Sequence, residues 1–143
     1  MGTRQGNPID KVTLERLAQF RYQVRRFLRV SEEQAKAAGI TALQYQLMLQ
    51  SQGFAGRDWA SIGELAERLQ AQPHGVVALV TRCEQVGLVQ RHTGRADRRL
   101  VEVHLTPKGR RLLERIAGAL ESERSALAAV VGESLSAREA ARA

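Results

Sequence analysis

Apolar residues near the start of the chain recur at intervals of three and four, which predicts an amphipathic helix over residues 10–30. Asp10 is a suitable N-cap for this helix. The apolar positions are Val12, Leu14, Leu17, Phe20, Tyr22, Val24, Phe27 and Leu28. They spread around the helix, so more than one side is expected to be buried. A flexible tail is predicted over residues 1–9 and a short helical extension over residues 32–38.

A second helix is predicted to start at Thr41, a good N-cap, and to end near residue 52. Its expected buried positions are Leu43, Leu47 and Met48. A glycine-containing loop over residues 53–58 then leads to Trp59, the only tryptophan.

Two shorter helices, separated by a tight polar turn, are predicted next. The first should begin after Ser61, because Ser61 and Glu64 have the S-x-x-E spacing of a capping box. The second should begin near Pro73, a residue favoured in a first helical turn, and end before Gly87. The expected core positions are Ile62, Leu65, Ala66 and Leu69 in the first helix, and Val76, Leu79, Val80 and Cys83 in the second.

Two strands are predicted over residues 88–91 and 100–105, since apolar and polar residues alternate along the second. The loop that joins them carries Arg95, Arg98 and Arg99. Two helices, a turn and a basic hairpin in this order are typical of a helix-turn-helix followed by a wing. That arrangement places a helix and a basic loop side by side on a DNA duplex.

A last long helix is predicted from Pro107 to about Val131, with Ser136 as the cap of a short final turn. Its apolar stripe consists of Leu113, Ile116, Leu120, Leu127 and Val130. This stripe is longer than a small winged domain alone can cover.

Composition narrows the class of partner. The chain has 143 residues, a formal net charge of +7 and 22 basic residues, of which only Lys11, Lys36 and Lys108 are lysine. Guanidinium groups bond phosphates and base edges in a planar fork, so this excess of arginine favours nucleic acid. The sequence shows no grouped nucleophile and base, no phosphate-binding glycine loop and no metal-ligand spacing of histidines. Neither an enzyme nor a cofactor is therefore expected.

The single cysteine, Cys83, fits a reducing compartment, and its place in an apolar stripe predicts a buried side chain without a redox role. No apolar run resembles a signal peptide or approaches the length of a membrane span. A cytoplasmic protein without membrane contact is expected.

Several motifs, taken in order, resemble those of the MarR family of bacterial transcriptional regulators. They are Gly39-Ile40-Thr41, Leu65-Ala66, His74-Gly75-Val76-Val77-Ala78-Leu79-Val80, Gly87-Leu88-Val89, Asp97-Arg98-Arg99 and Leu105-Thr106-Pro107-Lys108-Gly109. The resemblance covers nearly the whole chain. It implies one domain over residues 10–143, mainly α-helical, with a winged helix-turn-helix core over 41–106. Residues 10–38 and 107–143 would supply the dimerisation helices.

The candidates for facing a major groove are Gln72, His74, Gly75, Val77, Ala78, Thr81 and Arg82. Gln72 can pair with adenine, His74 with guanine or a phosphate, and Val77 can pack on a thymine methyl group. The small Gly75 and Ala78 would let the helix sit deep in the groove. Family members often carry hydroxyl or basic side chains at these positions, so this chain departs from the family pattern here.

Arg82 lies further along the helix. It is expected to touch either a phosphate or an internal acid such as Glu64 or Glu84. The sequence leaves both partners open.

In the wing, Asp97 and Arg99 are two residues apart, so on an extended strand they would project to the same side. The family resemblance implies that the Asp97 carboxylate orients Arg99 at a minor groove, where arginine is favoured. Arg95 would lie at the tip of the wing, and Arg98 would point to the opposite side of the strand.

The resulting expectation is a homodimeric repressor of transcription that binds a pseudo-palindromic operator in double-stranded DNA. A small-molecule effector is expected in a crevice between the dimer helices and the winged domain, with Tyr22, Tyr45 and Trp59 as the available rings. Two alternatives stay open: a sequence-tolerant architectural DNA-binding protein without an effector, and a winged helix used for protein contacts.

Overall fold

The computed structural model describes the backbone of residues 8–142 and the side chains of residues 8–132. Over this range the chain forms six helices and three strands. The helices are α1 (Lys11–Ala37), α2 (Ala42–Gln52), α3 (Ile62–Leu69), α4 (Pro73–Gln85), α5 (Pro107–Ala119) and α6 (Glu121–Arg142), and the strands are β1 (Trp59–Ser61), β2 (Val89–Thr93) and β3 (Val101–Leu105). The predicted fold, mainly helical with a small wing, is confirmed. The predicted tail over residues 1–9 lies almost wholly outside the described residues.

The chain divides into two compact units, and residues 31–119 form one of them. Its core is made of apolar side chains from α2, α3, α4, α5 and the sheet, with Leu88 just before β2. The core includes Leu47, Met48, Leu65, Val76, Val80, Cys83, Leu88, Val89 and Val103, each no more than 1% exposed. The prediction for α4 is confirmed at all its core positions. Leu43 is 61% exposed and the prediction for it was wrong, because Tyr45, two residues further along α2, is the buried side chain of this turn.

The sheet has three antiparallel strands in the order β1-β3-β2, one more than predicted. The unpredicted strand is β1, in which Trp59 lies opposite His104 and Ala60 opposite Val103. A strand of three residues is too short to show alternation in the sequence. It adds an outer edge to the wing hairpin and continues directly into α3.

The helix starts follow the predicted capping chemistry. In α2, Thr41 Oγ1 accepts a hydrogen bond from the Gln44 amide (3.1 Å), and Gln44 Oε1 accepts one from the Thr41 amide (2.9 Å). Ser61 and Glu64 form the same reciprocal pair at the start of α3, at 2.9 and 3.2 Å. Each pair satisfies backbone N–H groups that the first helical turn leaves without a partner.

The Leu105–Gly109 motif fastens α5 to the end of α4. The Thr106 hydroxyl donates to the Gly87 carbonyl (2.6 Å), and the Lys108 ammonium donates to the Val86 carbonyl (2.8 Å). Gly109 is buried, and a Cβ there would lie 2.1 Å from the Leu88 carbonyl oxygen. Only glycine allows α5 to begin so close to this backbone.

Three helix boundaries differ from prediction. α1 continues to Ala37 without a break, because no glycine or proline interrupts it near Val30. The predicted last helix is two helices, which separate at Leu120, two residues after Gly118, the residue of lowest helix propensity in that stretch. Ser136 caps no new turn, since α6 runs unbroken through it.

The second unit contains the described residues up to 30 and from 120 onward. Asp10 caps α1, as predicted, by accepting a hydrogen bond from the Thr13 amide at 2.8 Å. Many apolar side chains of α1 are about half exposed in the single chain. They include Val12, Leu14, Leu17, Tyr22 and Leu28.

Candidate nucleic-acid interface

One face of α4 points away from the core and is made mainly of small or apolar residues. Along the first three turns its exposed members are His74, Gly75, Val77, Ala78 and Arg82, and Gln85 lies beyond them at the C-terminal end of the helix. The opposite face carries Val76, Leu79, Val80 and Cys83, none more than 7% exposed. The exposed residues therefore form a continuous strip along a helix whose back is anchored in the core, as a helix that enters a DNA groove requires.

The turn before α4 leaves the N-terminal end of this strip accessible. Gln72 is the N-cap of α4, is exposed, and makes no capping hydrogen bond with its side chain. The turn itself is held at Gln70, whose backbone is left-handed (φ 51°) and whose side-chain amide donates to the Glu67 carbonyl at 2.7 Å. Gln72 and His74 can thus approach a base edge together.

Thr81 differs from the other predicted groove residues, because its hydroxyl is already engaged. It donates to the Val77 carbonyl (3.0 Å) and accepts from the Arg91 guanidinium (2.5 Å). Arg91, on β2, also forms an ion pair with Glu84 of α4. Arg91 therefore ties the wing to α4, and Thr81 is part of that tie.

The internal partners considered for Arg82 are both bound to other arginines. Glu64 pairs with Arg57, and Glu84 pairs with Arg91. Neither acid forms an ion pair with Arg82 in the described part of the chain, and Arg82 lies exposed on the strip of α4. The phosphate contact that the sequence left open for Arg82 stays a prediction.

Asp97 and Arg99 lie in the loop between β2 and β3, not on an extended strand, so the alternation expected for them and for Arg98 was wrong. A hydrogen bond from the Leu100 amide to the Asp97 carbonyl (3.1 Å) closes a turn over residues 97–100. Gly94 packs beneath this turn, where a Cβ would lie 2.3 Å from the Asp97 carbonyl oxygen. The turn, rather than the pleat of a strand, brings the two side chains together.

Asp97 holds Arg99 through three contacts. Its Oδ1 accepts from the Arg99 amide (3.0 Å) and from Nε (3.1 Å), and its Oδ2 accepts from an Arg99 terminal nitrogen (3.1 Å). The hydrogen bonds from Arg99 hold the pKa of the Asp97 carboxyl below its usual range. The Arg99 side chain is nevertheless 90% exposed. A two-pronged grip of this kind fixes the plane of a guanidinium while leaving its outer edge free for a partner.

Arg95 and Arg98 are also exposed on this loop. With Arg99 they place three guanidinium groups on a segment of five residues. Because Asp97 is the only acid of this segment, the loop keeps a net positive charge of +2, and such a loop attracts phosphate.

Arg57 is a structurally important residue that the sequence analysis did not single out. Its guanidinium lies 3.8 Å from the centre of the Trp59 ring and 4.2 Å from that of Phe54, and it pairs with Glu64. Burial opposes ionisation of Glu64, but hydrogen bonds from Ser61 and Arg57 outweigh it and lower its pKa. The aromatic residues on both sides of Arg57 were the available sequence signal.

Three further residues that the sequence singled out, Cys83, Tyr45 and Trp59, lie in different surroundings. Burial raises the pKa of the Cys83 thiol to about 11, which keeps it protonated at neutral pH. Tyr45 lies in the core, whereas Trp59 stacks on His104 at 5.9 Å. Within the described residues, no group of three or more histidine, cysteine or acidic side chains is placed to hold a metal ion, and no helix is long and apolar enough to cross a membrane.

Comparisons with known proteins agree with this geometry. Residues 38–100 match the model of the MarR family. AbsC from Streptomyces coelicolor, a MarR family transcriptional regulator, aligns with a TM-score of 0.70 and 17% identity over 95% of this chain and 93% of its own. No curated protein sequence matches the chain.

Two further solved structures carry ligands. A mutant MarR from E. coli, complexed with operator DNA, aligns with a TM-score of 0.62 and 23% identity over 80% of this chain and 79% of its own. CouR from Rhodococcus jostii, bound to p-coumaroyl-CoA, aligns with a TM-score of 0.60 and 22% identity over 68% of this chain and 67% of its own.

The fold is thus a winged helix-turn-helix. Within that class, the match over residues 38–100 and the shared architecture confirm the resemblance to the MarR family of transcriptional regulators.

Proposed function

We propose that the protein is a sequence-specific DNA-binding regulator of transcription, a homodimeric repressor that a small-molecule effector releases from its operator. The observation that carries the proposal is the pairing, in one compact unit, of the exposed strip on α4 with the arginine-bearing loop. Arg91 connects the two by bonding both Thr81 and Glu84. A helix for the major groove and a basic wing for the adjacent minor groove need such a fixed relation.

The proposed assembly is a homodimer. Leu14, Leu17 and Leu28 on α1 are each 49–54% exposed in the single chain, and so large an apolar surface calls for a partner. Two-fold symmetry would place two α4 helices about one helical turn of DNA apart, roughly 34 Å, on a pseudo-palindromic operator.

Sedimentation at low micromolar concentration tests the assembly. The expected mass is twice 15.8 kDa. Replacing Leu14 and Leu17 together by glutamate should give monomers, whereas the same change at Leu43, which is exposed on α2, should not. A monodisperse monomer of the parent chain that still binds DNA specifically would contradict the dimer.

Selection of duplexes from a random pool tests the DNA-binding function. An enriched pseudo-palindrome is expected. His74→Ala or Gln72→Ala should cost about 1–3 kcal/mol on the best duplex and less on random DNA. Gln85→Ala, at the far end of the same helix, is the matched control and should keep the parent preference.

The same selection separates the alternative function. A sequence-tolerant architectural protein would enrich no sequence and would bind operator and random DNA alike. That result would reject the regulator and favour the architectural protein.

The effector is supported by the CouR complex, which shows a structural relative bound to p-coumaroyl-CoA. A ligand that binds only the folded protein raises its melting temperature, so a thermal-shift screen with aromatic acids and their coenzyme A thioesters is the direct test. A true effector must also release the selected operator. If none of these compounds does both, these ligand classes are excluded as effectors.

A further inference from the structure

The centre of the exposed strip on α4 offers no free hydrogen-bonding side chain to a base pair. Between His74 and Arg82, the residues directed away from the core are Gly75, Val77, Ala78 and Thr81. Gly75, Val77 and Ala78 have no side-chain group that can form a hydrogen bond. The hydroxyl of Thr81 gives its proton to the Val77 carbonyl and accepts a hydrogen bond from Arg91.

The same segment leaves room for close approach. A Cβ built on Gly75 would have no atom of the described residues within 4 Å outside its own helix backbone, so none of their side chains screens the helix backbone there. Val77 is 40% exposed, and Ala78 is exposed beside it. Two apolar side chains and a bare backbone thus face outward at the place where a recognition helix meets base edges.

The floor of the major groove presents a single kind of apolar group, the C5-methyl of thymine. We propose that this protein reads the centre of each operator half-site through thymine C5-methyl groups, packed against Val77 and Ala78, rather than through hydrogen bonds. This inference rests on the proposed DNA-binding function. Burial of one methyl against apolar side chains corresponds to about a fourfold gain in affinity.

A consequence follows for modified DNA. Val77 and Ala78 contact the methyl group and not the oxygen or amino group at C4 of the pyrimidine. 5-Methylcytosine carries the same methyl group, so it should recover part of the affinity that cytosine loses when it replaces thymine. Readout by hydrogen bonds would instead depend on the C4 substituent.

The test uses the full chain and the operator obtained by selection. At each thymine of a half-site, binding is measured with thymine, uracil, cytosine and 5-methylcytosine, each paired with its complement. At one or more positions, uracil should bind about fourfold more weakly than thymine, and cytosine about fourfold more weakly than 5-methylcytosine. The uracil comparison needs no protein variant, so failure of a variant to fold cannot obscure it.

Protein variants then locate the contact. Val77→Ala should largely remove the difference between thymine and uracil at one position. Val86→Ala should retain it, because Val86 is similarly exposed (46%) but lies at the C-terminal end of α4.

Equal binding of thymine and uracil at every position would overturn the inference while leaving the regulator intact. A thymine preference that is undiminished in both Val77→Ala and Ala78→Gly would also overturn it. A selection that enriches no sequence would instead remove the proposed function and, with it, this inference.

Discussion

The strip on α4 and the wing loop both belong to the unit of residues 31–119, yet they differ in chemistry and in support. The strip is nearly uncharged, and four buried side chains on the back of the same helix hold it in place. The loop carries three arginines, and a backbone turn and one carboxylate hold it. A rigid, small-residue surface suits discrimination among bases, while an exposed basic loop suits attraction to any duplex. The comparison suggests a division of labour: α4 sets sequence preference, and the wing sets affinity and its salt dependence.

The largest expected effect comes from removing charge at the wing. Arg95→Ala combined with Arg98→Ala should weaken binding to every duplex by roughly a hundredfold at low salt, because two phosphate-neutralising groups are lost. The slope of log affinity against log salt should become shallower by about two per wing.

A control with the same change of net charge comes from Arg111 and Arg115, both exposed on α5. Their replacement by alanine should have a much smaller effect. If the wing variant instead changed base preference without changing the salt slope, the division of labour would be reversed.

A smaller loss, about tenfold, is expected from Asp97→Ala, although the change removes a negative charge near phosphates. Without the carboxylate, Arg99 loses its fixed orientation. Arg99→Ala should also weaken binding, and the double variant should cost less than the sum of the two single losses. Because Arg99 lowers the pKa of Asp97, the carboxylate stays charged in mild acid, and the loss should be the same at pH 7 and at about pH 5.

Affinity measured at two salt concentrations, with folding checked by circular dichroism, decides this prediction. Asp97→Asn is the companion variant, since it removes the charge but retains an oxygen that can accept a hydrogen bond. Tighter binding by a folded Asp97→Ala protein would show that the acid only moderates the charge of the wing.

The smallest expected effect is that of Gly75→Ala, which should stabilise the fold but weaken operator binding. Gly75→Ala adds a methyl group with no atom of another described segment within 4 Å, so the free energy of unfolding should rise by about 0.5–1 kcal/mol. If the backbone of α4 lies close to the bases, operator affinity should fall a few-fold at the same time. Gly118→Ala on α5, also without a neighbour within 4 Å, should stabilise the fold and leave binding unchanged. Unchanged or tighter operator binding by Gly75→Ala would show that α4 sits higher in the groove.

Sequence patterns predicted most of the helix-turn-helix, because its signals are local. The spacing of Val76, Leu79, Val80 and Cys83 fixed the buried face of α4, and the Ser61–Glu64 capping box marked the start of α3. The features that were missed depend on contacts between segments. Arg91 contacts α4 only because the β2–β3 hairpin lies beside that helix, and no local sequence pattern predicts this contact.

The wing shows a more instructive partial success. The pairing of Asp97 with Arg99 was predicted, but the reason given for it was wrong, since a tight turn over Gly94 stands where a strand was expected. Similarly, the apolar stripe after Pro107 was seen, but periodicity alone does not reveal that the helix ends at Ala119 and a new one starts at Glu121. A hydrophobic period reports which residues share a face and says little about where one helix ends and the next begins.

Cys83 offers a way to measure local opening of α4. It is the only thiol in the chain, it lies on the buried face of α4, and burial raises its pKa to about 11. A thiol reagent at pH 8 can therefore label it at an appreciable rate only when the helix separates from the core, because reaction requires exposed thiolate. The rate of labelling would report how often α4 separates from the core. A slower rate in the presence of operator DNA would show how far the bound duplex suppresses this opening, and the measurement needs no engineered cysteine.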